Sequence, residues 1–352
     1  MKRFIRHCRL LPHASGLTHT LNRGLLIAAL ALLPLAPASA AKPAEKHPGM
    51  RAFAADLAPD DAEQRERILA LLNGAEYQAS IVKAMNRPAE KTKPWADYRP
   101  IFMNDKRIEG GREFYRNHAE LLQRVSKEYG VPAEIIVSII GVETLYGRIT
   151  GSYRVLDALT TLAFYYPKRS PYFTGELKRF IGLPNERGVE LDLEKVKGSY
   201  AGAMGWGQFM PTSYATWAID DDQDGRIDLW GSPRDICASI ANYLAEHGWE
   251  SGGPIAMQLD PIPGAREITW DGAQPIYPLA QLVEWGYQPA SVLDPDRPSA
   301  LLTLQGERGD EYFATFENFR VITTYNRSPM YAMAVTQLAA AIASGVPADG
   351  AE

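Results

Sequence analysis

Cysteine is almost absent: the 352 residues contain only Cys8 and Cys237. Once an N-terminal leader is removed only Cys237 remains, so no internal disulfide can staple the fold, and packing or a bound metal must hold it. Cys237 itself reads as a small buried hydrophobe on a helix. Long apolar runs are lacking after the leader, so nothing later in the chain is expected to span a bilayer. Clustered histidine and cysteine are lacking too. His118 and His247 stand alone, which argues against a zinc hydrolase. Positive charge is not in excess: 37 Lys and Arg face 42 Asp and Glu, a formal −5. That balance makes general nucleic-acid or anionic-membrane binding a poor fit. No internal repeat of fixed period is visible.

What is present begins with "MKRFIRHCRLLPHASGLTHTLNR", basic and free of acids, followed by the short apolar run "GLLIAALALLPLA" and by "ASA" at 38–40. This pattern predicts a signal peptide over 1–40 with cleavage after Ala40. An uncleaved N-terminal anchor is the rival reading. Lys2, Arg3, Arg6, Arg9 and Arg23 leave with the leader, so basic residues fall from 37 to 32 against 42 acids, a formal −10. No cysteine lies just after the cleavage point, so no lipid anchor is expected there. The sequence predicts a mature protein that is soluble outside the cytoplasm.

Residues 41–52 read as a linker, 53–343 as the folded region and 344–352 as a tail. A helical pattern is predicted from Phe53 to Asn86, a Pro-containing ordered loop over 86–100, and helices near 110–128, 155–165 and 174–182. Between 252 and 322, Pro and Gly become frequent, and "ALLTLQG" and "YFATFENFRVITTY" read as short strands. Helix returns after Ser328, a plausible N-cap, with Pro329 in the first turn. The predicted class is mainly α (α+β).

One carboxylate stands out in "IIVSIIGVETLYG", residues 135–147. Read as a helix, Ile136, Ile139, Ile140 and Glu143 share one face, with Glu134 on the face that meets water. A carboxylate on an apolar stripe costs free energy unless it is paired, protonated or useful. Desolvation favours its protonated form, as a general acid near neutral pH requires.

Three further segments could carry chemistry. In "DDDQDGRIDLWGSPRD" (220–235), Asp220, Asp222 and Asp224 alternate before Gly225, as in the first half of an EF-hand calcium loop. Arg226 would offer its carbonyl and Asp235 would close the shell, since Gly231 stands where the usual twelfth-position acid would be. The competing reading is a solvated acidic turn. In "GSYAGAMGWGQFMPTSY" (198–214), the glycine spacing fits neither phosphate-binding fingerprint, so a tight backbone path exposing Gln208, Phe209 and Met210 is the better reading. Seventeen tyrosines exceed what a core needs, and a cleft stacking sugar rings would use them. Half-buried surface tyrosine is the alternative for any single one.

"GVETLYGR", "LDALTTLAFYYPKRSPYFTGEL", "KGSYAGAMGWGQFMPTSY", "DDDQDGRIDLWGSPRDICASIANYLAEHGW" and "YNRSPMYAMAV" occur in an order that resembles the lytic murein transglycosylase B family over roughly 53–343. The resemblance implies a goose-lysozyme-like helical catalytic core with an extended EF-hand loop. It implies Glu143 as the single acid/base, and Gln208, Phe209, Met210 and Ser199 lining the cleft. It further implies cleft roles for Tyr98, Tyr172, Tyr243, Tyr325 and Tyr331. Lys168 and Arg169 would meet substrate carboxylates or carbonyls. Structural Ca²⁺ would sit on Asp220, Asp222, Asp224, Arg226 and Asp235. The implied reaction cleaves the MurNAc-β-1,4-GlcNAc bond of peptidoglycan strands and leaves a 1,6-anhydro-MurNAc end. Other cell-wall enzymes are a second class of partner. A hydrolytic muramidase and a non-catalytic peptidoglycan-binding module are the rivals.

Overall fold

The computed structural model describes residues 47–345 apart from 87–92, 188, 190, 269 and 271, and without the side chains of 185–187. The expected signal segment, the start of the linker, part of the 86–100 loop and most of the tail lie outside the described residues. The end of the expected linker is helical: α1 (Gly49–Leu57) buries Met50, Phe53 and Ala54. It is followed by α2 (Ala62–Asn73), capped by the Asp61 carboxylate on the Gln64 amide, and by α3 (Ala79–Met85). Much of the expected loop is also helix, α4 (Trp95–Phe102). Trp95, Tyr98 and Phe102 fall three and four residues apart and all are buried, so packing of that face overrides the proline signals.

The stretch read as one helix over 110–128 is two, α5 (Asp105–Asn117) and α6 (Ala119–Tyr129), broken at His118. Next comes α7 (Ala133–Thr144), then β1 (Tyr153–Arg154), α8 (Val155–Tyr165), α9 (Ser170–Arg187), β2 (Lys197–Gly198), α10 (Pro211–Trp217) and α11 (Pro233–Glu246). The expected water-facing side of α7 is not found. Val137 and Ser138 are as buried as Ile136, Ile139 and Ile140, because α5, α6, α11 and α14 (Pro329–Ala343) surround the helix. Each fully buried Ile contributes about 1.5–3 kcal/mol. The Ser138 hydroxyl, which would be costly unpaired, donates to the Val335 carbonyl of α14 at 2.7 Å.

The β-containing portion comprises β3 (Ala256–Pro261), β4 (Tyr277–Pro278), α12 (Leu279–Glu284), β5 (Tyr287–Pro289), β6 (Pro298–Gly306) and β7 (Gly309–Thr315). Its five strands run in the order β4-β6-β7-β3-β5, all pairs antiparallel. Period-two alternation puts Leu302, Leu304 and Phe313 into the main core, while Met257, Leu259, Leu301 and Ala314 form a second, smaller core with Leu279, Leu282, Tyr287 and Phe316. "YFATFENFRVITTY" is strand only to Thr315. It continues as α13 (Glu317–Tyr325), which buries Phe319 and Ile322 at helical spacing. Its Phe, Val, Ile and Thr content favours strand locally, and packing against α14 decides otherwise.

Candidate active site and acidic loop

Glu143 lies one residue before the end of α7, half-buried. The Tyr331 hydroxyl, from the first turn of α14, donates to its Oε1 at 2.6 Å. Tyr331 is held there by the Ser328 cap, whose hydroxyl accepts from the Tyr331 amide. Burial, and after it the charge of Glu143, push the phenols of Tyr331 and Tyr325 well above their usual range, so both remain donors. Tyr98, buried in α4, is close enough to act electrostatically on Tyr331.

The glycine-rich loop forms the neighbouring wall. It folds through isolated bridges from Gly198 to Met204 and from Met204 to Phe209. Gly205, at φ 69°, passes so close to Leu229 that a Cβ would lie 2.5 Å from its carbonyl oxygen. Gln208 takes a left-handed φ of 52°. Its Nε2 donates to Gly205 O at 2.9 Å and Thr150 O at 3.2 Å, which fixes the side chain. Ser199 is buried, and its hydroxyl accepts from the Ala201 and Ala203 amides; it braces the turn rather than lining an open surface. Phe209 is buried against Tyr243 and Tyr325, ring centroids 6.0 and 5.9 Å away. Tyr325 donates to Gly207 O at 2.6 Å and Tyr243 to Thr324 O at 2.8 Å. Met210, half-buried, leads into α10.

Tyr172 stays 43% exposed, with the Arg169 guanidinium 4.6 Å from its ring centroid. Partial burial and, second, the charge of Glu176 push its pKa up to about 12. Lys168 reaches Asn86 Oδ1 at 3.4 Å. The structure thus brings Glu143 together with Tyr331 and Tyr325, with Phe209 and Tyr243 against Tyr325; Lys168, Arg169 and Tyr172 lie at the start of α9 and the turn before it, where Arg327 acts on Tyr172.

In the acidic loop, carboxylate oxygens of Asp220, Asp222 and Asp235 lie within 4.8 Å of one another. Asp235 accepts from the Asp221 and Asp228 amides, and burial raises its pKa. Asp220 Oδ1 is buried without a hydrogen-bond partner, as an oxygen meant for a cation would be. Asp224 is not in that trio; its Oδ1 accepts from the Arg226 amide at 2.8 Å. Asp221 points away and is gripped by Arg124 of α6 and Arg234 of α11.

Residues 45–340 match the family model described as "Transglycosylase SLT domain". The chain belongs to that family. It is 38% identical over 306 residues to the membrane-bound lytic murein transglycosylase B of Escherichia coli K12, covering 84% of this chain and 83% of that protein. Among solved structures, the Escherichia coli lytic transglycosylase Slt35 in complex with calcium is 37% identical with a TM-score of 0.76, covering 85% of this chain and 93% of that one. SltB3 from Pseudomonas aeruginosa, in complex with NAG-anhNAM-pentapeptide, is 30% identical with a TM-score of 0.69, covering 86% and 80%.

Within this transglycosylase fold, sequence reading missed Arg107, Thr144 and Tyr146. The Thr144 hydroxyl contacts Trp206 O at 2.9 Å and accepts from the Gly147 amide, tying the Glu143 helix to the glycine-rich loop. Arg107 is buried and contacts the backbone of the same helix. The one available signal was the paired Gly110-Gly111 beside an arginine in an otherwise ordinary charged helix.

Proposed function

We propose that the chain is a peptidoglycan lytic transglycosylase that breaks the MurNAc-β-1,4-GlcNAc bond and leaves a 1,6-anhydro-MurNAc end. The observation that carries the reading is Glu143 at the end of a buried helix with the Tyr331 hydroxyl 2.6 Å from Oε1, in a chain of this family. The relative SltB3, seen with an anhydro-muramoyl ligand, supports the product.

Glu143, protonated, gives its proton to the glycosidic oxygen as the C1–O bond breaks. The 6-hydroxyl of the same MurNAc then attacks C1, and the Glu143 carboxylate takes that hydroxyl's proton. The acid is regenerated and no water is consumed. Tyr331 strengthens its hydrogen bond as charge appears on Glu143, which stabilises the departing stage of the reaction. Two-carboxylate glycosidases need a second acid as nucleophile or base. Among the described residues the buried carboxylates besides Asp235 have other duties: Asp157 pairs with Arg154 and accepts from the Glu76 amide, and Glu176 holds the Thr212 amide. An intramolecular hydroxyl has a large effective concentration, which makes a one-carboxylate site sufficient.

Glu143→Gln removes the transferable proton. Purified sacculi should yield no anhydro-muropeptides with this variant, by mass spectrometry, while circular dichroism stays that of the parent. Near-parental turnover would refute the assignment. Products heavier by one water would identify the parent as a muramidase.

Peptidoglycan glycan strands are the partner this reading requires. Asp220, Asp222 and Asp235 would hold a structural Ca²⁺, with Asp224 and the Arg226 carbonyl as further oxygens. The ion would neutralise the clustered charge between α10 and α11. The composition of residues 1–40 supports export to the periplasm. No helix among the described residues is long and apolar enough to cross a membrane.

A further inference from the structure

The chain after Glu143 turns through three successive left-handed residues, Leu145 (φ 51°), Tyr146 (59°) and Gly147 (76°). Helices commonly end with one such residue, usually glycine. Placing Leu and Tyr there costs about 1 kcal/mol or more each, so ending the helix does not account for the conformation. It does place the Tyr146 side chain beneath the last turn of α7. There it lies in a slot lined by Gly110, Gly111 and Gly141. A Cβ on Gly111 would lie 2.6 Å from the Tyr146 hydroxyl and one on Gly110 2.9 Å from the ring, and a Cβ on Gly141 would be closer still. The hydroxyl donates to Arg107 O at 2.6 Å.

Arg107 completes the arrangement. It is 3% exposed and, among the described residues, no carboxylate forms a salt bridge with it. Its guanidinium instead donates from Nε to Gly141 O at 3.1 Å and from Nη1 to Ile101 O at 2.7 Å, and lies over the Phe102 ring. Burying a cation on carbonyls is expensive, and a leucine or methionine would fill the space without that cost. What only the fork supplies is a direct hold on Gly141, two residues before Glu143. Its carbonyl also accepts from the Leu145 amide, while Ile140 O accepts from the Tyr146 amide.

We propose that Arg107 and Tyr146 are positioning residues that set the rotation of the last turn of α7 and thereby aim the Glu143 carboxylate at the scissile bond. This rests on the reaction assigned to Glu143 above. Both side chains are buried and act through the backbone of α5 and α7.

Tyr146→Phe keeps the ring in its slot and removes only the hydroxyl. The expected result is a parental melting temperature and KM, with kcat on purified glycan strands lowered about tenfold or more, since small misplacements of a catalytic group cost up to about a hundredfold. Combined with Tyr331→Phe, which acts on the same carboxylate, the loss should fall short of the product of the single losses. Arg107→Lys, which keeps the charge but loses the fork, should show the same split between kcat and KM. A Tyr146→Phe kcat within twofold of the parent overturns the proposal. So does a kcat loss that vanishes when assayed well below a lowered melting temperature, or one that multiplies independently with Tyr331→Phe. Release of anhydro product by the parent, measured in the same assay, tests the reaction itself separately.

Discussion

The Tyr331 hydroxyl donates directly to the reacting carboxylate, and its own high pKa keeps it a donor across the physiological range. Tyr331→Phe leaves the ring in place and removes that donor, so kcat should fall about tenfold with little change in KM, measured as anhydro-muropeptide release from sacculi; an unchanged kcat would remove Tyr331 from the mechanism. At this scale the sequence was informative where chemistry conflicts with surroundings. Glu143 could be read because a carboxylate among Ile and Val has no cheap explanation. Tyr146 and Arg107 could not, since a tyrosine after a helix and an arginine in a charged helix are each ordinary until the backbone brings them under the same turn. Ser199, which its motif singled out, also serves the loop itself: its hydroxyl oxygen accepts from two backbone amides.

Among elements, α7 was legible and its environment was not. Periodicity gave a helix with one apolar face, while four neighbouring helices bury it on nearly all sides. α4 and α13 were misread for one reason: proline or β-branched content speaks for local preference, and burial of Trp95, Tyr98, Phe319 and Ile322 decides the outcome. The acidic loop is the element with the sharpest consequence. Three gathered carboxylates, with a buried oxygen of Asp220 lacking a partner, repel one another unless a cation joins them. Adding Ca²⁺ should therefore raise the melting temperature by several degrees over the chelated protein, while Asp220→Asn should remove most of that response. A melting temperature indifferent to chelator would mean that no ion contributes. Arg124 and Arg234, gripping Asp221, already tie the loop to α6 and α11, so the ion's effect should appear in stability before it appears in activity.

For the molecule as a whole, composition set the class and left the layout open. An acidic chain almost without cysteine, with a basic, acid-free first stretch, is what the proposed export of a protein that relies on its core would require. The proposed export has a direct check: N-terminal sequencing of the protein recovered from the periplasm should begin at Ala41, and recovery only from the cytoplasm with the leader intact would refute it. That the β-containing portion has a core of its own, while Leu302, Leu304 and Phe313 turn into the helical core, could not be read from composition, because alternation shows that a strand has two faces but not what each face meets. Its first and last residues are themselves neighbours: Ala256 pairs with Thr315 across β3 and β7. The chain therefore leaves the helical body and rejoins it through a single doorway. Turns at the far end can lengthen or shorten without obliging α13 or the tyrosines behind it to move, so the glutamate keeps its place while they change.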